Sequence, residues 1–173
     1  MFEDSFGKTW FGSERNGLFY SNETKNSFRH YFYNYSTSQG LSHNAVTTFC
    51  QDKNGNTWVG TNGGGLDYFD KKHNTITSYN RRSGLHSLAI QDIKADPSDK
   101  LWIATRKGGV TLFDPVRNEN QTFLHEPLNS NSILFNDVTS TIVDDSLVWM
   151  GTYGEGVCIY NTRSKKKFTT KIV

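Results

Sequence analysis

The chain has 173 residues, of which 14% are aromatic and 21% charged, and a formal net charge of +2. That aromatic content with moderate charge excludes a disordered segment, and the scattered basic residues exclude an extended nucleic-acid patch. The one basic run, Lys165-Lys166-Lys167, reads as a solvated strand edge. No apolar stretch approaches the ~20 residues of a membrane-spanning helix, and the N-terminus carries no signal-peptide apolar segment, so the chain is expected to be soluble, with no direct membrane contact.

One sentence is written four times along the chain. Its tryptophan stands at Trp10, Trp58, Trp102 and Trp149, with spacings of 48, 44 and 47 residues. Each is followed by an apolar residue, a small residue and a hydroxyl: Phe11-Gly12-Ser13, Val59-Gly60-Thr61, Ile103-Ala104-Thr105, Met150-Gly151-Thr152. Seven residues after each tryptophan stands a glycine: Gly17, Gly65, Gly109 and Gly156. A period near ~45 with strand-like alternation fits the blades of a β-propeller, each a four-stranded antiparallel sheet. A helical solenoid of this period would need apolar residues at 3.6 spacing, whereas Val46, Thr48 and Cys50 alternate with Thr47, Phe49 and Gln51.

In chain order, the first repeat enters late. Residues 1–4 are the tail of an inner strand, followed by strands at 9–13, 17–20 and 27–35. The second repeat predicts strands at 45–51, 57–61, 65–69 and 75–80; the third at 90–95, 101–105, 109–113 and 121–125. The fourth predicts 138–143, 148–152, 156–160 and 167–171, about fifteen strands in all. The expected architecture is all-β: one propeller segment of about four blades, the first incomplete, with blades near 1–38, 39–82, 83–127 and 128–173. An open arc of this kind is expected to leave unpaired edges at both ends, through which copies could associate.

Each inner strand ends in an aspartate: Asp4, Asp52, Asp96, and Asp144 or Asp145. Such a side chain caps a tight turn, with Gly7 or Gly55 supplying positive φ and Pro97 presetting the third copy. The tryptophan fills the space between neighbouring sheets, the small residue leaves room for the adjacent blade, and the hydroxyl can bond a turn carbonyl. A feature repeated at one position in every copy explains the fold rather than a site. Cys50 and Cys158 occupy non-equivalent repeat positions, so the repeat does not pair them. The five histidines show no metal-ligand spacing, and neither metal nor cofactor is expected.

These residues resemble the two-component regulator propeller repeat. The resemblance rests on Asp-x-x-Gly-x-x-Trp-[Ile/Val]-Gly-Thr-x-x-Gly-Gly-Leu, preceded here by Gly40-Leu41-Ser42-His43-Asn44-Ala45-Val46. A degraded lead-in reads Gly84-Leu85-His86-Ser87-Leu88-Ala89-Ile90, and a third begins at Asn131-Ser132-Ile133. The Asp box of sialidase-like propellers is shorter by one residue between Asp and Gly, which favours the regulator repeat. The resemblance implies a seven-bladed ring in the periplasmic sensor region of hybrid two-component histidine kinases of Bacteroidetes. It implies non-enzymatic sensing of polysaccharide-derived oligosaccharides, and sensor dimerisation. No kinase or membrane helix is present in this sequence.

Function is expected where the repeats differ, in the loops of one propeller face. The loops between second and third strands read Glu14-Arg15-Asn16, Asn62-Gly63-Gly64, Arg106-Lys107-Gly108 and Tyr153-Gly154-Glu155. The connections between blades add Tyr33, Tyr35, His43, Arg81, Arg82 and His86. Sugar recognition calls for aromatic faces and planar polar groups, so Arg15, Tyr35, His43, Arg81, Arg82, His86, Arg106 and Tyr153 are the expected ligand-binding residues. Two other readings stay open: a protein-interaction scaffold like WD-repeat propellers, and a propeller lyase or glycosidase. The last would need convergent carboxylates, and Glu14 and Glu155 stand three blades apart.

Overall fold

The structure, a computed structural model, describes residues 1–22, 27–35, 40–164 and 166–170. Four antiparallel sheets follow one another, each of four strands in sequence order. The first holds β1 (Phe2–Glu3), β2 (Thr9–Gly12), β3 (Leu18–Asn22) and β4 (Ser27–Tyr31); the second, β5 (Val46–Gln51), β6 (Thr57–Thr61), β7 (Gly65–Asp70) and β8 (Thr75–Tyr79). The third holds β9 (Ile90–Ala95), β10 (Leu101–Thr105), β11 (Val110–Asp114) and β12 (Glu119–Phe123). The fourth holds β13 (Val138–Asp144), β14 (Leu147–Thr152), β15 (Gly156–Asn161) and β16 (Lys166–Thr170). This is the all-β propeller architecture the repeat implies.

The hairpins form where the turn chemistry places them. Asp4 Oδ1 accepts the amides of Phe6 and Lys8 at 2.9 and 3.0 Å; Asp52 takes Asn54 and Asn56, both at 2.9 Å. Asp96 takes Ser98 and Lys100 at 2.7 and 3.1 Å, and Asp99 holds φ 59° where the first two turns place Gly7 and Gly55. The fourth copy departs from the expected cap. Asp144 pairs with Leu147 across a two-residue turn, and Asp145 instead meets Arg163 at 2.8 Å. The turn is too short to offer the two amides that an aspartate cap needs.

At the other hairpin of each sheet the hydroxyl after the small residue does what was expected in three copies. Thr61, Thr105 and Thr152 Oγ1 donate to the carbonyls of Gly65, Gly109 and Gly156 at 2.8–2.9 Å. In the first sheet Ser13 Oγ accepts the Asn16 amide at 2.7 Å instead.

The core lies between sheets. Trp10 packs with Leu18, Leu41, Val59 and Phe69 between the first and second; Trp58 with Leu66, Ile93, Ile103 and Phe113 between the second and third. Trp102 packs with Val138, Val148, Met150 and Tyr160 between the third and fourth. Each of these three tryptophans thus faces the following sheet. Trp149 has no described sheet in front of it and is only half-buried, a correction to the expectation that all four are core. Beside it on this face Ile142 is 62% exposed. The last sheet therefore presents a face rather than the unpaired strand edge expected, because the strands of each blade pair among themselves.

Asp92 stitches the inner strands together: it accepts Thr48 Oγ1 of β5 at 3.2 Å and the Thr141 amide of β13 at 2.9 Å, and pairs with Lys94 at 2.7 Å. Other boundaries moved slightly. β12 begins two residues early because Asp114 caps the preceding turn, accepting the amides of Val116 and Arg117 at 3.1 Å, with Asn118 at φ 54°. A 3-10 turn over Arg81–Ser83, capped by Asn80, was not expected. Cys50 and Cys158 are both buried and form no disulfide with each other. Lys165 and the expected strand end at Lys171 lie outside the described residues.

Candidate functional site

The loops between second and third strands and the connections between sheets meet on one face, tied by backbone hydrogen bonds. Gly17 N donates to Asn44 O at 2.9 Å, Gly63 N to Leu88 O at 2.9 Å, and Gly109 N to Asn136 O at 2.8 Å. Each hairpin is thereby fastened to the chain entering the next sheet. Gly109 shows how tight this is: at φ 70°, a Cβ there would stand 2.1 Å from the Phe123 carbonyl.

Above the second sheet these loops enclose a cleft of about 500 Å3. One wall is Tyr33 with Gly40, Leu41 and Ser42; the other is Asn80, Arg81 and Arg82, with Gly63 and Gly64 between. Arg81 and Arg82 are exposed. They are presented by the 3-10 turn, where Asn80 Oδ1 accepts the Arg82 amide at 2.9 Å and Gly84 closes the end at φ 86°. Arg81 Nη1 donates to the His86 carbonyl at 2.9 Å, which holds its guanidinium against the loop. Tyr33 meets Tyr35 edge to face, with centroids 4.7 Å apart.

Beneath the cleft lies a carboxyl the sequence reading missed. Asp67, 1% exposed on β7, accepts Ser42 N at 2.9 Å, Ser42 Oγ at 3.0 Å and Ser78 Oγ at 2.6 Å. Burial pushes its acid up from the ordinary range, against the pull of those hydrogen bonds. Ser42 and Ser78 both line the cleft, so Asp67 fixes its floor. The signal was present: the sister repeats carry Phe19, Thr111 and Cys158 at this position, and only the second repeat has a charge.

Of the expected residues, Arg81 and Arg82 come together in the cleft. Tyr35 adjoins it through Tyr33. His43 adjoins it through Gly63, where a Cβ would lie 3.4 Å from His43 Nε2; the ring's Nδ1 accepts the Ala45 amide at 3.1 Å. His86 contributes its carbonyl to Arg81. Arg15, Arg106 and Tyr153 are exposed on the neighbouring loops and do not line the cleft. A second, larger groove of about 660 Å3 runs between the third and fourth sheets, lined by Lys100, Trp102, Gln121 and Glu126, and holds none of the expected residues. The Trp102 indole N–H there is buried without a partner, whereas Trp10 Nε1 donates to Asp4 at 3.1 Å.

Known proteins bear out the repeat. Residues 40–63 match the family model "Two component regulator propeller". Among solved structures, the extracellular domain of the hybrid two component system BT3049 from B. thetaiotaomicron is 26% identical, with a TM-score of 0.78 over 92% of this chain and 21% of that one. The extracellular domain of BT4673 from the same organism is 23% identical, with a TM-score of 0.79 over 99% of this chain and 24% of that one. Virginiamycin B lyase from Staphylococcus aureus is 16% identical, with a TM-score of 0.71 over 99% of this chain and 54% of the lyase. The last two likenesses show the fold alone, and the chain spans between a fifth and a quarter of the two extracellular domains. No curated protein matches the sequence. Residues 40–63 thus carry the two-component regulator propeller repeat, and the frame that recurs through these four sheets is similar to the propellers of those extracellular sensor domains.

Proposed function

We propose that the chain is a ligand-recognition segment of a signalling sensor outside the cytoplasm, without catalytic activity of its own, and that its ligands are oligosaccharides derived from polysaccharides. The observation that carries this reading is the cleft above the second sheet. It combines two exposed arginines, a tyrosine and serine hydroxyls in a volume suited to a small ligand. The described residues of its wall include no exposed carboxylate, whereas glycosidic chemistry requires an acid and base pair. The repeat and the likeness to the BT3049 extracellular domain support a sensor.

Calorimetric titration with a panel of oligosaccharides from plant and host polysaccharides tests this directly. Binding without turnover is expected, and the absence of binding by any member would overturn it. The apolar face of the last sheet, with Trp149 and Ile142, suits closure into a larger ring, by further blades of a seven-bladed propeller or by a second copy.

A further inference from the structure

We infer that the cleft above the second sheet selects anionic saccharides, seating a carboxylate- or sulfate-bearing sugar on Arg81 and Arg82. This rests on the glycan-recognition reading and narrows it to one ligand class. The first ground is charge. Among the described residues Arg82 is held through its backbone amide alone, which leaves its planar guanidinium fork available to a bidentate partner. Arg81 spends one N–H on the His86 carbonyl, which orients the fork and leaves its other donors available.

The second ground is what stands opposite. Neither arginine has an acidic partner among the described residues, and the wall contributes only neutral groups besides them. The carboxyl beneath the cleft is Asp67, buried under Ser42 and Ser78, whose hydroxyls donate to it. Its charge is shielded from the cleft by its own hydrogen bonds, and burial favours the neutral acid. An anion entering the cleft therefore meets two cations and no carboxylate among the described residues that line it. Tyr33 and Tyr35 at the rim, edge to face, supply the apolar surface that a sugar ring needs and a free inorganic anion does not.

The test uses the full chain in calorimetry with oligogalacturonides of two to four units and with their methyl esters, which differ in charge and hardly in size. A sulfated disaccharide and inorganic sulfate form two further arms. The acid or sulfated sugar is expected to bind at least tenfold tighter than the ester, with affinity falling as salt rises. Arg82→Gln should abolish that preference while Lys72→Gln, at the opposite end of the sheet, keeps it. Both side chains are exposed, so unchanged thermal unfolding checks that the fold is intact. A sulfated sugar binding in place of the uronide supports the anion site and identifies sulfate as its source. Equal binding of acid and ester, or a preference surviving Arg82→Gln, overturns the anion site and leaves glycan recognition standing. Inorganic sulfate binding as tightly as any sugar overturns the saccharide part, and no binding of any saccharide, charged or neutral, overturns both readings.

Discussion

At the residue scale, two aspartates show how environment divides one side chain between opposite roles. Asp4 is pushed up by burial, but the Lys8 amide, the Trp10 indole and the Phe6 amide outweigh this and hold it below the ordinary range. Its stabilisation is present above the unfolded pKa and lost as pH falls through the lowered value. Asp4→Ala strands the indole N–H and two turn amides and should cost about 1–3 kcal/mol in urea unfolding. Asp67 runs the other way. Its raised acid contributes stability fully present below about pH 4 and lost as pH rises through the folded value. Unfolding midpoints between pH 4 and 7 should show that component in the native chain and lack it in Asp67→Asn; identical pH profiles would reject this role.

At the element scale, the small residue after each tryptophan decides how closely two sheets approach. A Cβ on Gly60 would stand 2.5 Å from Thr48 Cγ2 and 2.7 Å from Ile90 Cγ2, the latter on the inner strand of the next sheet. Gly60→Ala should therefore cost about 1–3 kcal/mol by overpacking. Gly154→Ala meets nothing within 4 Å, so its cost is limited to the backbone strain of φ 98°, about 1–2 kcal/mol. Denaturant unfolding of the pair separates steric crowding between sheets from strain within a turn. Ala104, fully buried in the third repeat, shows that one methyl is accepted where the neighbouring strands leave space.

At the scale of the molecule, stability depends on sheets stacked face to face, so equivalent residues differ by their place in the arc. Trp102 is fully buried between two sheets, and Trp102→Ala should cost about 3–5 kcal/mol. Trp149, half-buried, should cost less than half as much. Equal losses in chemical denaturation would mean that the Trp149 face is covered in solution. Sedimentation addresses the same face: an assembly larger than the monomer is expected if copies close on one another, whereas a monodisperse monomer excludes that mode.

The frame of this protein was legible in its sequence because the repeat wrote each instruction several times. Tryptophan, small residue, hydroxyl and glycine recur at fixed offsets, and turn chemistry set most strand ends locally. Where an instruction was local but different, the reading slipped: Asp145-Ser146 closes too short a turn for the cap, and Asp114 drew β12 forward. The face carrying the variable loops was also readable, and with it Arg81 and Arg82. Which of those residues share a cleft was not, since the meeting of residues 33, 42, 63 and 82 depends on how successive sheets stack. Asp67 belongs to the same class, because a charge opposite Ser78 on the β7–β8 ladder becomes a buried latch only when Ser42 arrives from the preceding connection. Periodicity and turn chemistry are short-range and survive in the sequence, whereas burial and the company a side chain keeps are settled by packing.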